Sequence, residues 1–474
     1  MVSTRQFASV VLVVCCLLSA AAAQWLDTIV PVGSAPFALC HNSQDNRVYC
    51  ANFDDSSVTV IDGATNGVLT TTQVGERPRA LCYNPTNNKV FCANENGRSV
   101  SIIDGATNAV VAATSVPVYP WDCCYNPTSD KVYVVDASVS LCVLDGSTFA
   151  LDTVIGVGDG AYGLCCNPVD NRVYTGNRTD NSVTVVDCAS NSVVATVPVS
   201  PVPNKLVWNR REDKVYTATA DAQDTTVTVI DCATNTVCAT VRVGAYPDAL
   251  CYDSVDSRVY VSNYSSNEIS VIDGVSNAVV ATLTTQYTPD RLCYSPQNNY
   301  VYVAMPNADE VAVIECATNS IIATVTVGDG PNVPCYNPTS NRVYTADYFG
   351  GTVSILRGSL GIAETLNDDH GPLNVVPTIV RGGLFLQGLG TRSGLSDNPV
   401  MSRAVLLDVS GRKAMELQPG PNDVSRLAPG VYFVVTPSLS SSPPEGERVG
   451  ARGRLASGVK HDASSVLTKV VITR

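Results

Sequence analysis

Cysteine offers more chemistry than any other residue in this chain: there are 18 in 474 residues, against 3 histidines. Thiols can bridge, hold soft metals or attack carbonyls, and each use demands its own spacing. Cys15 and Cys16 fall in an apolar leader, which leaves sixteen. Among these, Cys40, Cys82, Cys124, Cys165, Cys251, Cys293 and Cys335 each stand nine residues before an aromatic ring, and Val207 fills the same place once. A recurring slot that also accepts valine asks for a small apolar side chain rather than a reactive one. Equivalent positions in successive repeats are too distant and too parallel to bridge. The sequence therefore predicts a mostly reduced set, with Cys40/Cys50 and Cys82/Cys92 the best candidates for a cross-strand bond. Cys188, Cys232 and Cys316 follow a turn acid and are expected to be more exposed. No C-x-x-C pair occurs, and His41, His370 and His461 are scattered, so no metal or cofactor is expected. G-x-S-x-G, H-E-x-x-H and phosphate-loop motifs are also missing.

The elements that carry these residues repeat. The aromatic anchors Tyr49, Phe91, Tyr133, Tyr174, Tyr216, Tyr260, Tyr302 and Tyr344 are spaced by 42, 42, 41, 42, 44, 42 and 42 residues. A second series, Asp62, Asp104, Asp145, Asp187, Asp231, Asp273 and Glu315, ends an apolar run in each copy, with Arg357 in the last. Units of this length built from short β-branched runs between Asx and glycine turns are propeller blades, not helical solenoids. One unit reads as strand A (80–83), B (89–93), C (99–103) and D (110–116). The acid series is assigned to turn capping through backbone N–H groups.

At the N-terminus Arg5, an apolar stretch 8–18 and Ala21-Ala22-Ala23 form a secretory signal, residues 1–23, too short to span a membrane. Asp27 to Gly33 then matches the end of a repeat, while the eighth copy lacks a strand D after Ile355-Leu356. The two defects complete each other, because borrowing the first strand closes the ring and removes two open edges. The fold class is all-β: eight four-stranded blades over residues 24–357, with seven as the alternative.

Strand B segments such as Val-Phe-Cys-Ala-Asn (90–94), Val-Tyr-Val-Ser-Asn (259–263) and Val-Tyr-Thr-Gly-Asn (173–177) resemble those of the YVTN family of bacterial β-propellers. The resemblance implies an extracytoplasmic binding protein of WD40-like architecture, usually with seven blades.

A linker, 358–371, leads to a second region, 372–474. There Asp408, Gly411 and Arg412, then Gly430, Tyr432 and Phe433, then Lys469 beside the terminus form three ordered motifs. They resemble type IX secretion C-terminal sorting domains, which implies a small β-sandwich, recognition by the type IX secretion machinery, and a secreted or cell-surface location after Sec-dependent passage to the periplasm. An adhesive or carbohydrate-binding sandwich is the alternative. Residues 436–465, rich in Ser, Pro and charge, are expected to be disordered.

Charge separates the parts: the total of −13 resolves into +5 over residues 371–474 and −18 over 1–370. An acidic propeller repels nucleic acid and anionic membranes. A cationic peptide or a glycan fits better, and a monomer is expected. One position, just after proline in seven of eight copies, varies where the scaffold repeats: Phe37, Arg79, Trp121, Tyr162, Asn204, Asp248, Asp290 and Asn332. Entering strand A, these should stand at the channel mouth, rings and arginine on one half, amides and carboxylates on the other, with Lys205 and Arg291 offsetting part of the acidic half. The first reading is a binding or scaffold propeller without catalysis. The alternative is a hydrolase or oxidoreductase of the lactonase or quinoprotein type at the same mouth.

Overall fold

The computed structural model describes residues 25–221 and 224–358, and seven further strands between Val376 and Ile472. The expected signal peptide, the linker after Gly358, Gly411, Arg412 and residues 437–465 lie outside the described residues.

Eight four-stranded antiparallel sheets follow one another. Blade two is typical, with strands Pro78–Asn84, Lys89–Asn94, Ser99–Asp104 and Val110–Ser115 running from channel to rim. In blade eight the outermost strand is Leu26–Pro31, which pairs with Thr352–Arg357 so that Ile29 faces Ser354 and Val30 faces Val353. The ring closes through the N-terminal strand, and the count is eight. Trp25, only 2 % exposed, follows the same route and packs between Tyr300 and Tyr302 of blade seven.

Burial follows from stacking blades face to face. Strands B and C lie between two neighbours, so runs such as Val90 to Asn94 are buried on both faces, whereas strand D alternates at the rim. Asparagine is the commonest residue at positive φ, as at Asn88 (57°) and Asn108 (60°), because its short side chain tolerates the left-handed region. The acid series caps turns as expected: Asp62 Oδ1 accepts from the N–H groups of Ala64 at 2.9 Å and Thr65 at 2.7 Å.

Two polar systems join blade to blade. Asparagine at the end of strand A reaches the next A–B turn, as in Asn42 to Asn88 (2.8 Å), Asn84 to Asp130 (2.9 Å) and, across the closure, Asn337 to Asn46 (2.8 Å). The anchor tyrosine donates to the next C–D turn: Tyr49 to Asn108 at 2.9 Å, Tyr216 to Asn277 at 3.0 Å and Tyr260 to Asn319 at 2.9 Å. A strand B cation, such as Arg258 on the Cys316 carbonyl at 2.7 Å, grips the same turn.

That grip corrects one expectation. Cys188, Cys232 and Cys316 are fully buried, because the C–D turn is covered by the preceding blade's tyrosine. Glycine elsewhere at this position shows how tight the space is: a Cβ on Gly105 would lie 2.2 Å from Asn88 Oδ1. A second correction concerns the cross-strand bonds. Cys40 lies opposite Tyr49, and Cys50 opposite Leu39; likewise Cys82 faces Phe91 and Cys92 faces Leu81. Register one residue off places the two thiols on opposite faces of the sheet, so neither pair can bridge.

The second compact unit, residues 361–474, contains one sheet of three strands and one of four. In the latter, Ala404–Asp408 pairs with Gly430–Thr436, which pairs with Val466–Ile472, bringing Asp408 opposite Tyr432 and Phe433 opposite Lys469 in backbone register.

Candidate functional site

Strand A starts at its proline in blades one, two, five, six and eight, at Ala161 in blade four, and two or three residues past the proline in blades three and seven, on the face that also carries the D–A and B–C loops. A bulge in blades one, two, four, five, six and eight sits just inside that start, which turns the following side chain out of the regular ladder. All eight predicted residues are half-buried at this mouth.

The structure joins seven of them into two groups. Phe37 meets Phe53 at 5.6 Å and Tyr348 at 6.1 Å between ring centroids. The Arg79 guanidinium lies 4.8 Å from the Phe37 centroid and 3.2 Å from that of Trp121, and it pairs with Glu95 at 2.9 Å. Trp121 meets Tyr162 edge-on at 4.7 Å, and Arg178 covers Tyr162 at 4.5 Å. The aromatic half therefore already carries its own cations, an arrangement worth about 0.5–2 kcal/mol per contact. Burial, offset by Glu95, lowers the Arg79 pKa.

In the second group Asn204 Nδ2 donates to Asp248 Oδ1 at 2.7 Å, and Asp248 lies against Asp290. Burial, opposed by Arg291 and reinforced by Asp248, pushes the Asp290 carboxyl up to about 6. Arg291 Nε sits 3.4 Å from Asp290 Oδ1, as expected for a neutralising partner. Lys205 does not serve the acidic half. Its Nζ reaches Asp122 Oδ2 at 2.9 Å, from blade five to blade three, passing the inner strand of blade four. Gly163 lies on that strand, where a Cβ would fall 2.0 Å from the Asn204 carbonyl oxygen. Asn332 has no polar partner among the described residues.

Sequence reasoning missed a neighbouring feature. A cleft of ≈ 480 Å³ opens where blade eight meets blade one, lined by Asp54, Tyr348, Phe349, Gly33, Gly350 and Gly351. Phe349 is 73 % exposed. The available signal was its departure from the polar B–C loops of the other copies.

Fold and mouth define a closed eight-bladed β-propeller with a charged, ring-lined entrance. The chain belongs to the YNCE-like beta-propeller family, whose model matches residues 1–337. No curated protein matches it. Among solved structures it is similar to the computationally designed Ika8 protein (17 % identity, 70 % of this chain and 98 % of that one, TM-score 0.59). It is also similar to the dihydro-heme d1 dehydrogenase NirN in complex with DHE (15 %, 66 % and 76 %, 0.56). A third is the Kuenenia stuttgartiensis hydrazine synthase (17 %, 70 % and 97 %, 0.50). At these identities the likeness is one of fold.

Proposed function

We propose that this protein is an exported binding or scaffold propeller whose ligand, a glycan or a cationic peptide, docks on the channel mouth. The observation that carries the reading is the chain Asn204–Asp248–Asp290, in which amide and carboxyl groups line one side of an entrance whose other side is aromatic. Carboxylates and amides accept and donate to sugar hydroxyls or ammonium groups, while rings at the opposite edge supply apolar contact. Because Arg79 and Arg178 cover Trp121 and Tyr162, a ligand meets those rings at their edges or displaces the arginines. An array of glycans, peptidoglycan fragments and basic peptides tests the reading. Asp248→Asn with Asp290→Asn, or Trp121→Ala with Tyr162→Ala, should abolish retention of the hit. Retention by both double variants would place the ligand elsewhere.

The second reading, a hydrolase or oxidoreductase, is favoured by one observation: a carboxyl with raised pKa beside a second carboxylate is how acid and base roles are separated. Turnover of lactone, ester or dye-coupled redox substrates that disappears in Asp290→Asn would establish it.

Residues 372–474 act in this proposal as the sorting domain that hands the propeller to type IX secretion machinery and places it at the surface or in the medium. Three ordered motifs ending at Lys469, and the register that sets Asp408 opposite Tyr432 in one sheet, support this.

A further inference from the structure

The channel-side thiols follow one rule with two exceptions. In each blade the slot nine residues before the anchor faces the next blade, where it meets the residues equivalent to Leu81 and Tyr83. Cys251 thus packs with Leu292 and Tyr294, and Cys165 with Leu206 and Trp208. At the first of these receiving positions six blades have leucine and blade eight has Pro334; at the second, seven have an aromatic ring or His41. Blade three breaks the rule with Cys123 at the first position, and blade four with Cys166 at the second. Both replacements stand where a thiol of the preceding blade arrives: Cys82 and Cys123 belong to the apolar cluster between blades two and three, and Cys124 and Cys166 to that between three and four. Alternation along the strand sends Cys123 back to blade two and Cys124 forward to blade four. The inner strands of these blades approach within 8 Å between Cα atoms. Among the described residues no three His, Cys, Asp or Glu converge as a metal site, so the pairs stand as pairs.

We propose that Cys82 with Cys123, and Cys124 with Cys166, are disulfide-forming pairs that staple blades two, three and four together at the channel wall. This is independent of the ligand reading. Each bridge forms by thiol–disulfide exchange with an oxidised dithiol or glutathione disulfide. One thiolate attacks the oxidant's S–S bond to give a mixed disulfide, and the second displaces the oxidant. The two thiol protons and two electrons pass to the oxidant, which departs as two thiols. The thiol contact with Cys123 for Cys82 and with Cys166 for Cys124, reinforced by burial, holds both thiols well above the ordinary range. Exchange therefore takes place as the blades close.

The full chain is refolded in reduced and oxidised glutathione, checked for β-sheet by circular dichroism, unfolded in iodoacetamide without reductant and digested with trypsin. Protein purified without refolding is mapped in parallel. The expected product joins Ala80–Lys89 to Ser99–Lys131 and that to Val132–Arg172, with the other twelve thiols of the sixteen alkylated. Cys123→Leu should remove only the first link and Cys166→Tyr only the second; both substitutions restore residues that other blades carry. Dithiothreitol should lower the melting temperature of the parent by roughly 5 °C and leave the double variant unchanged. Sixteen alkylated cysteines in the folded chain, or links between other positions, would overturn the proposal.

Discussion

Asparagine at the end of strand B ties together two hydroxyls of strand C: Asn52 donates to Ser57 and Thr59, both at 2.9 Å, and Asn177 to Ser182 at 3.0 Å and Thr184 at 2.8 Å. Blade eight has Asp347 instead. Thr352 and Ser354 turn their hydroxyls to donate to its Oδ2 at 2.8 and 2.7 Å, and its Oδ1 is left buried without a partner. Burial, only partly offset by those two hydroxyls, raises the carboxyl to about 7. A raised acid stabilises the fold in its protonated form, so this contribution is complete below about pH 4 and is lost as pH rises through 7. Asp347→Asn should raise stability by roughly 2–4 kcal/mol at pH 8 and hardly at pH 4, read from urea unfolding at the two values. An equal effect at both would show that the carboxyl ionises freely. The substitution itself is visible when the eight copies are aligned, but its protonation was not, because that depends on burial by a neighbouring blade. Likewise the proline-linked ring Phe37 to Asn332 was legible as a shared position, whereas the arginines stacked on Trp121 and Tyr162 were not: Arg178 comes from a different loop.

The strand that closes the ring was legible as an orphan strand D, since a missing strand at one end matched a surplus at the other. Its anchor was hidden. Asp27 pairs with Arg342 at 2.8 Å and Arg357 at 3.4 Å, over three hundred residues away. Burial opposes its ionisation, but the Arg342 hydrogen bond and the two positive charges outweigh it and depress the pKa. This contribution is present above about pH 4 and is lost as pH falls through the depressed value, opposite in sign to Asp347. Removing residues 24–33 exposes a β-edge and discards Trp25 and Val30, so a loss well above about 4 kcal/mol with aggregation is expected. A truncated monomer that melts like the parent would show that the first strand is dispensable. Trp25→Ala alone should cost about 3–5 kcal/mol in chemical denaturation. The two cross-strand thiol pairings failed for a reason at this scale: face assignment within a strand reverses with one residue of register, and the A–B register was set by turns and bulges that composition does not locate.

At the scale of the whole molecule, the period of about 42 residues and the closure made the architecture readable from sequence, while ligand identity was not, since eight variable positions at a mouth do not name what they meet. Deleting residues 404–474 should leave a folded propeller with the parent's circular dichroism, retained in the periplasm. Its appearance outside the cell would remove the sorting role. Where the tyrosine and cation grip is made between blades it reaches forward to the next one, and it crosses the closure in the same way, with Tyr344 on Asn66 at 3.2 Å and Arg342 on the Gly63 carbonyl. These contacts are made by side chains of one blade on the turn of the next, so their specificity does not depend on the peptide links between blades. It follows that the place where the chain begins is arbitrary to the ring. A circular permutant that joins the natural closure and opens instead at a D–A loop of another blade should reach the same structure.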